Sequence, residues 1–464
     1  MARVGTPMAI LDGVGLSTDS FTNWAQNVMC QPEATFYPNS LRDLQVIVGE
    51  ASKENKKIRC AGSGHSWCTT SATEGYLALM RGMDKIHPPK KTIDGDWTVK
   101  IEMGVTVTEL DQYLRTHNPP LALPSNVLVD DARYGGILTM GCHGASLNAR
   151  TMSDLITEMA IVNAHGDLVT YSEEKDPAAF SAACLNLGLF GIIYTATLKV
   201  EAMDFRLRMK DAFPTLTSVF EGENAGLRLK AMVTHNDSTQ IFHWPFKHFM
   251  KQDQNDRMWI KGWERTTDAA EAQDPNRPPE LDNPFFSSFH VGETVLEVPD
   301  ALHFHVGAGD TTVLDAGVAF KADGDFKNVI QSLKDLIDEN WAFTTSMPER
   351  MGTLVEMRFV KSSSKIMSPA YDKDPEAIFC LINVMAVSTT PGFEDFSLGI
   401  VSNWLEKYNA KPHWAKLWEK VPNVMQYLRE QYGERVSEFN RIRRTQDPHD
   451  MFVNDTWAPL LRDL

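Results

Sequence analysis

The chain has 464 residues, a formal net charge of −16 at pH 7 and 43% hydrophobic residues. Its length predicts two or three domains, and its composition is that of an ordinary globular protein. The acidic balance argues against nucleic acid or an anionic membrane surface as a partner. The sequence shows neither a secretory signal nor an apolar run long enough to span a membrane. We therefore expect a cytoplasmic or organelle-associated protein without a spanning helix.

The cysteines indicate ordinary thiols rather than a disulfide framework or a metal site. There are six of them, scattered along the chain from Cys30 to Cys380. No pair has the spacing of zinc ligands, and the number is too small for a fold stabilised by disulfides. We therefore expect buried or free thiols and no bound metal.

The chain opens with a predicted β-α-β unit. Residues 34–37 have the pattern of a short strand that Pro38 closes. Ser40 can then cap a helix that runs to about Asn55, with apolar residues repeating along one of its faces. Residues 57–61 form the next predicted strand.

A loop of small residues follows this unit at 62–66, where the sequence reads Gly-Ser-Gly-His-Ser. Small residues allow backbone N–H groups to turn inward and hold a phosphate. The same pattern is more often a simple turn, so the loop alone is a weak signal. His65, directly after the second glycine, has the least ordinary position among the thirteen histidines.

A second stretch of small residues covers 135–146 and contains four glycines. Such a cluster indicates backbone packed against a flat or bulky group, or a tight crossing in the core. The other elements predicted up to Glu201 are strands at 76–80, 98–103, 154–163, 167–171 and 192–200, and helices at about 106–114 and 176–187. The first 201 residues therefore read as one α+β domain.

The pattern becomes uneven after residue 202. Residues 203–300 give no clear prediction and include a polar, proline-bearing loop at about 266–284. Apolar residues then repeat at helical spacing from Phe326 to Ile337 and from Phe396 to Leu405. The remaining elements are predicted strands at 354–360 and 378–387, and the second helix ends near Asn409.

Two groups of polar residues in this second half could do chemistry. Glu356 and Arg358 share one face of an apolar strand, where charges are costly unless they are paired or functional. A structural ion pair is about as plausible as a functional one. His413 and Lys416 follow a helix end, where a polar loop is the plainer interpretation. For His143, between glycines, a hydrogen bond to a backbone carbonyl is favoured over a ligand contact.

Four motifs together resemble the sugar-lactone oxidoreductases of the vanillyl-alcohol-oxidase flavoprotein superfamily, namely the gulonolactone, galactonolactone and arabinonolactone oxidases and dehydrogenases. The resemblance runs from about Asn23 to the end of the sequence. Its most specific part is the His-Trp-Ala-Lys signature, which marks the branch that acts on sugar lactones and polyols. The motifs lie at 61–66, at 135–144, at 355–359 and at 411–416, and the stretch 441–454 is similar to the family's closing segment.

The resemblance implies an α+β flavoprotein of two domains. Residues 1–202 would form an FAD-binding domain of the type called PCMH, after p-cresol methylhydroxylase. Residues 203–440 would form an α+β cap domain over the isoalloxazine ring and the substrate. Residues 441–464 would return to the FAD domain.

The resemblance also implies roles for individual residues. The loop Gly62, Ser63, Gly64, His65 and Ser66 would hold the FAD pyrophosphate, and His65 would carry a covalent bond to the flavin. The residues expected along the cofactor are Gly135, Gly136, Gly141, Cys142, His143 and Gly144, with Gly191 and Ile193 near the adenine.

The implied reaction is the oxidation of a ring hydroxyl of a sugar lactone by hydride transfer to flavin. Glu356 and Arg358 would orient and polarise the substrate, and Lys416 with His413 would stabilise negative charge. Oxygen, giving hydrogen peroxide, or another acceptor would reoxidise the flavin. Val127 stands where the family carries glycine or alanine facing the flavin, and its bulk would favour a dehydrogenase. Oxidase and dehydrogenase both stay open, and an oxidase is favoured.

Two alternatives to a lactone oxidoreductase remain. One is an alditol or other sugar oxidase of the same superfamily. Residues of the cap domain would decide between this alternative and a lactone oxidoreductase. The other is a flavin-binding protein without catalysis. The presence of Glu356, Arg358 and Lys416 together argues against that second alternative, because a scaffold has no need of buried charges. A yellow protein that a sugar lactone bleaches would separate all three.

Overall fold

The computed structural model describes residues 9–243, 258–269, 292–303, 312–345 and 353–462. Up to Ala202 the described chain forms two larger sheets and one sheet of two strands, Phe21–Thr22 and Met29–Cys30. The strands in this part are β1 (Ala9–Leu11), β2 (Val14–Ser17), β3 (Phe21–Thr22), β4 (Met29–Cys30), β5 (Ala34–Tyr37), β6 (Ile58–Ala61), β7 (Tyr76–Leu79), β8 (Lys90–Lys91), β9 (Trp97–Glu102), β10 (Leu121–Ala122), β11 (Ile156–Val162), β12 (Leu168–Ser172) and β13 (Ile192–Ala202).

Four α-helices and three short 3₁₀ turns accompany these strands within the described residues. The helices are α1 (Leu41–Glu54), α2 (Val107–Arg115), α3 (Tyr134–Thr139) and α4 (Pro177–Cys184), and the 3₁₀ turns are Thr69–Ser71, Met80–Gly82 and Met152–Leu155. One sheet has the order β1-β2-β5-β7-β6, and β5, β7 and β6 run parallel in it. The other has the order β12-β11-β13-β9-β8 with antiparallel neighbours.

The predicted β-α-β opening is confirmed, and its helix shows why the prediction was possible. The Ser40 side chain accepts a hydrogen bond from the Asp43 amide, which satisfies one of the free N–H groups at the start of α1. Asn55 ends the helix in the left-handed conformation. The residues that α1 buries are Leu44, Ile47, Val48 and Ala51.

α4 is shorter than predicted. The helix was expected to run to residue 187, but it ends at Cys184, and Leu187 has a positive φ of 57°. The Asn186 side chain accepts a hydrogen bond from the Gly188 amide and donates one to the Ala183 carbonyl. These local bonds replace the helical ones, so the chain turns towards β13 three residues early.

The second part of the chain is built on one large sheet. Its strands are β14 (Arg206–Ala212), β15 (Ser238–His243), β16 (Met258–Thr266), β17 (Thr294–Leu296), β18 (Val313–Lys321), β19 (Leu354–Lys361), β20 (Ile378–Val387) and β21 (Lys411–Pro412). They lie side by side in the order β17-β14-β16-β15-β19-β20-β18-β21, and every pair is antiparallel. The helices are α5 (Leu216–Phe220), α6 (Ala225–His235), α7 (Val298–Leu302), α8 (Lys327–Thr345), α9 (Phe393–Tyr408), α10 (Val424–Tyr432), α11 (Glu434–Gln446) and α12 (Ala458–Leu461).

Four described strands of this sheet, β14 to β17, come from the region 203–300, for which no elements were predicted. Every residue of β15 and the first six of β16 are buried, so neither strand shows the alternation of apolar and polar residues that marks a half-exposed strand. The loop expected from residue 266 is described only as far as residue 269, and the rest lies outside the described residues.

The two faces of the large sheet differ in chemistry. On one face, Val318, Met357 and Val384 belong to the same apolar core as α8 and α9. On the other face, Asn383 in β20 lies between Gly317 of β18 and Glu356 of β19. This polar face lies towards the loops of the first 202 residues, and the two surfaces together enclose a cavity.

The stretch after α11 contacts the first sheet. The Ile58 amide donates a hydrogen bond to the Met451 carbonyl, which adds this segment beside β6. Arg59 is buried and donates to the Phe452 carbonyl. Asp447, itself fully buried, accepts bonds from the amides of Met451 and Phe452 and so fixes the turn that brings them there.

Candidate active site

A cavity of about 290 Å³ lies between the loops of the first part of the chain and the polar face of the large sheet. Glycine and small or apolar side chains line much of it, and two interacting charged pairs, Glu356–Arg358 and Asp315–Lys416, form the part of its wall that we call the polar end. The predicted site residues on its wall are Gly62, Ser63, Gly64, His65, Ser66, Gly135, Gly136, Cys142, His143, Gly191, Ile193, Glu356, Arg358, His413 and Lys416.

The loop 62–66 presents unpaired backbone donors to the cavity. Within the part of the chain that the structure describes, the amides of residues 63–66 donate to no protein oxygen. Gly64 has a φ of +79°, and a Cβ there would crowd the backbone of Asn23 and Trp24, so glycine is needed on two grounds. A row of free amides on a turn of small residues is a binding site for an anion such as a pyrophosphate.

His65 follows this turn and is largely buried, with 15% of its side chain exposed. Its Nε2 lies 2.8 Å from a carboxylate oxygen of Asp131, and its ring packs against the tilted ring of Trp24, with 5.2 Å between the ring centres. Burial opposes ionisation of Asp131, but the contact with His65 prevails and lowers the pKa of that carboxyl. The imidazole is thus held in place from two sides.

The second glycine cluster divides into two groups. Gly135 and Gly136 lie at the start of α3 on the cavity wall, and a Cβ on Gly136 would meet no atom of the described residues within 4 Å. Gly141 and Gly144 do not lie on the wall, in contrast to the expectation from the sequence. Gly141 packs against protein side chains instead, and a Cβ on Gly144 would overlap Ser125. These two glycines allow close packing of the chain within the core, which was the second interpretation of the cluster.

Glu356 and Arg358 form an ion pair at the polar end of the cavity. Arg358 Nε lies 3.2 Å from Glu356 Oε1, and both side chains are less than 10% exposed. Arg358 also donates to the His143 carbonyl. Burial raises the pKa of Glu356 above its ordinary value, and Asp315 adds to the rise while Arg358 opposes it. A buried carboxylate with a raised pKa is suited to accept a proton near neutral pH.

Lys416 belongs to a second buried ion pair in the same cavity. Its ammonium group bonds to Asp315 Oδ2 and lies 4.2 Å from the centre of the Trp67 ring. Burial raises the pKa of Asp315, which Lys416 opposes. The chain around Lys416 is fixed to β18, because the amides of His413 and Leu417 donate to carbonyls of that strand.

His413 and His143 are neutral at physiological pH. Burial lowers the pKa of both rings well below the ordinary value, and the cations Arg358 and Lys416 lower it further. His413 Nδ1 accepts a hydrogen bond from the Ala415 amide, so its proton is on Nε2. His143 Nδ1 bonds to the Gly144 carbonyl, as the sequence analysis favoured. His413 therefore offers a neutral N–H donor and not a positive charge.

Val127 lies on the wall of the cavity and is 9% exposed. The Asn126 side chain accepts a bond from the Val127 amide, and His303 Nδ1 donates to the Val127 carbonyl at 2.6 Å. The other nitrogen of His303 lies 2.9 Å from Asp111. The loop that carries Val127 is therefore held on both sides of the valine.

Sequence reasoning missed Asp315, Asp131 and Lys261. Asp315 stands alone among apolar residues in β18, which is the same signal that identified Glu356. Lys261, in β16, is buried beside Trp259 and Trp263, and burial lowers its pKa to about 7 while Asp211 and Glu356 oppose the shift. The sequence around Lys261 gave no strand prediction, so its burial was not visible.

The residues present fit the FAD that the family resemblance implies. The free amides of residues 63–66 suit the pyrophosphate, and the open space beside Gly136 suits a flat group passing close to the backbone. The charged pairs at the polar end leave two carboxylate oxygens, Asp315 Oδ1 and Glu356 Oε1, without a hydrogen-bond partner among the described residues, as expected where a polyhydroxy substrate meets the flavin. The described residues contain no cluster that could hold a metal ion and no helix long and apolar enough to cross a membrane.

Comparison with known proteins gives two matching families and relatives over almost the whole chain. Residues 32–172 match the FAD binding domain family, and residues 323–460 match the D-arabinono-1,4-lactone oxidase family. L-gulonolactone oxidase of Scyliorhinus torazame is 24% identical over 94% of this chain and 96% of its own. L-gulono-1,4-lactone dehydrogenase of Mycobacterium tuberculosis is also 24% identical, over 94% and 97%.

The fold is also that of a solved structure. Cholesterol oxidase from B. sterolicum superimposes with a TM-score of 0.81, covering 99% of this chain and 100% of its own, at 19% sequence identity. At that identity the likeness concerns the fold alone. It agrees with the α+β architecture of two parts that the sequence predicted.

Proposed function

Because the chain belongs to the FAD-dependent sugar-lactone oxidoreductases of the vanillyl-alcohol-oxidase superfamily, we propose that it oxidises a ring hydroxyl of an aldono-1,4-lactone. The observation that carries this proposal is the polar end of the cavity. Two buried ion pairs, Glu356–Arg358 and Asp315–Lys416, face the same space as the glycine loops. Such a concentration of buried charge is costly unless a polar substrate uses it.

Bound FAD supplies the acceptor for the hydride that leaves the carbinol carbon. In the proposed reaction, Glu356 accepts the hydrogen bond, and then the proton, of the hydroxyl that is oxidised. Arg358 holds the glutamate and the substrate oxygen in place. Lys416 and the N–H of His413 stabilise the negative charge that develops in a site from which water is excluded.

For the cofactor, we propose that the amides of the loop 62–66 hold the pyrophosphate and that His65 bonds covalently to the flavin. Since Asp131 occupies the Nε2 side of the imidazole, Nδ1 is the nitrogen available for this bond. The proposed lining along the cofactor is Gly135, Gly136, Cys142 and His143, with Gly191 and Ile193 near the adenine. We further propose the division into an FAD domain at 1–202, a cap domain at 203–440 and a returning segment at 441–464.

The function is tested by the colour of the flavin. Under anaerobic conditions a substrate lactone should bleach the flavin absorbance within seconds to minutes, whereas an alditol of the same chain length should leave it unchanged. Bleaching by alditols alone would contradict the lactone proposal and favour a polyol oxidase. An acidic protein of net charge −16 is not expected to add a nucleic acid to these partners.

His65→Ala should abolish the covalent attachment of flavin. Wild-type protein that has been denatured in acid should retain a fluorescent flavin band on a gel, and the variant should lose it. His235→Ala is the matched control, because this imidazole is 77% exposed, does not line the cavity and pairs with Glu264. If the flavin of the wild-type protein washes out in acid, the covalent assignment is wrong.

Val127→Gly should speed the reaction of reduced flavin with oxygen and leave reduction by lactone nearly unchanged. The valine side chain fills part of the cavity wall, and a well-packed wall leaves little room for a diatomic gas. Stopped-flow measurement of the two half-reactions separates the effects, and Val127→Ala should be intermediate. An unchanged oxidative half-reaction would mean that this side chain does not control oxygen access.

A further inference from the structure

Asp315 is a buried carboxylate that the reaction described so far does not use directly. It lies in β18, two residues from Gly317, which is level with Asn383 and Glu356 across the sheet. With period two along a strand, Asp315 projects from the same face as Glu356. Its side chain is 3% exposed and lies on the wall of the cavity.

The two oxygens of this carboxylate have different surroundings. Oδ2 bonds to the ammonium group of Lys416. Oδ1 is buried and has no hydrogen-bond partner among the described residues. A carboxylate oxygen that loses water without gaining a donor is costly, and native proteins seldom leave one unsatisfied. The donor that completes Asp315 is therefore expected from the molecule that fills the cavity.

Glu356, on the same face of the sheet, also has a carboxylate oxygen without a hydrogen-bond partner among the described residues. Its Oε1 forms an ion pair with Arg358 but accepts no hydrogen bond from the described residues. Two carboxylates on different strands cannot both accept from a single hydroxyl proton. Two separate hydroxyl groups on one substrate satisfy both, and an aldonolactone carries several.

We propose that Asp315 accepts a hydrogen bond from a second hydroxyl of the substrate, one that is not oxidised, and so selects lactones that carry this hydroxyl. The inference rests on the proposed function, with Glu356 assigned to the hydroxyl that reacts. Lys416 holds the carboxylate in position from its other oxygen. Asp315 is then a determinant of specificity as well as the partner of a catalytic lysine.

The experiment compares one substrate lactone with analogues that each lack a single hydroxyl, using wild-type enzyme, Asp315→Ala and Asp315→Asn. Loss of a hydrogen bond to a charged acceptor should lower kcat/KM of the wild type about 10- to 100-fold for one analogue. In Asp315→Ala the ratio of kcat/KM between the full lactone and this analogue should fall to about 1. The corresponding ratios for the other analogues should stay as they are in the wild type. Asp315→Asn, with a neutral acceptor, should be intermediate.

Lys416→Met is the matched comparison. Loss of the ammonium group should slow flavin reduction by every lactone. The loss in kcat/KM for the analogue without the hydroxyl that bonds to Asp315 should remain as large as in the wild type. FAD content and melting temperature of each variant exclude a folding defect, and Asp315→Asn preserves the shape of the side chain if the alanine variant is unstable.

The inference is overturned if Asp315→Ala loses the same factor on every substrate and keeps the penalty for each missing hydroxyl. In that case Asp315 only positions Lys416, and the proposed function stands. If no lactone reduces the wild-type flavin at all, the proposed function fails and this inference fails with it. The two failures are therefore distinguishable in one set of measurements.

Discussion

Glu356→Gln is expected to slow the reduction of flavin by lactone about 10²- to 10⁴-fold while FAD stays bound, which is the range for loss of a positioned proton acceptor. The amide has the shape of the carboxyl group but cannot take the hydroxyl proton. Glu356 lies in β19 on the polar face of the sheet and belongs to neither of the loops 62–66 and 135–136 that we assign to the cofactor. Rapid-reaction measurement of flavin reduction, with FAD content determined separately, distinguishes slower chemistry from loss of FAD.

Arg358→Lys should lose activity to a similar extent. Its guanidinium contacts Glu356 through Nε and donates to the His143 carbonyl through another nitrogen, and a lysine ammonium cannot reproduce this fork. Glu376→Gln provides a control for the glutamate change, because Glu376 is 69% exposed and pairs with Lys361 at the surface. Near-normal kinetics in either active-site variant would mean that Glu356 and Arg358 form a purely structural ion pair.

Arg59→Met should lower the free energy of unfolding by about 3–5 kcal/mol, because several buried carbonyls lose their donor at once. The guanidinium donates to the carbonyls of Thr70, Leu187, Gly188 and Phe452, and the side chain is buried. Burial lowers the pKa of Arg59 to about 10, so the group stays charged at neutral pH. Methionine fills similar space but donates no hydrogen bond.

Urea unfolding followed by tryptophan fluorescence measures this effect. Arg42→Met is the matched control, since the Arg42 side chain is 73% exposed and pairs with an exposed Asp12. Its expected change is within about 0.5 kcal/mol. Equal unfolding midpoints for the two variants would show that the four carbonyls find other partners when Arg59 is removed.

Local signals in the sequence predicted the elements that are half-exposed or capped. Ser40 with Asp43, and Thr106 with Glu109, mark helix starts because side chains within four residues satisfy the free amides. The charges in β19 were visible for a similar reason, since Glu356 and Arg358 interrupt an apolar strand. In each case the physical cause lies within a few residues of the signal.

The features that were missed depend on distant parts of the chain. β15 and β16 are covered on both faces by other elements, so their own residues carry no alternating pattern. Gly141 and Gly144 look like the other glycines of their cluster, but side chains such as Pro369 and Ser125 decide what they pack against. Asp315 acquires its importance from Lys416, which is 101 residues away.

The contact between β6 and the segment around Met451 sets an order of events during protein synthesis. Arg59 and Phe452 are 393 residues apart, yet they are joined by a hydrogen bond. A ribosome that has finished the first 202 residues carries a strand whose neighbour has not been made. Domains usually fold as they emerge, N-terminal ones first, but β6 gains its contacts with this late segment only after the large sheet has been translated. The flavin is therefore expected to enter a chain whose translation has passed residue 452.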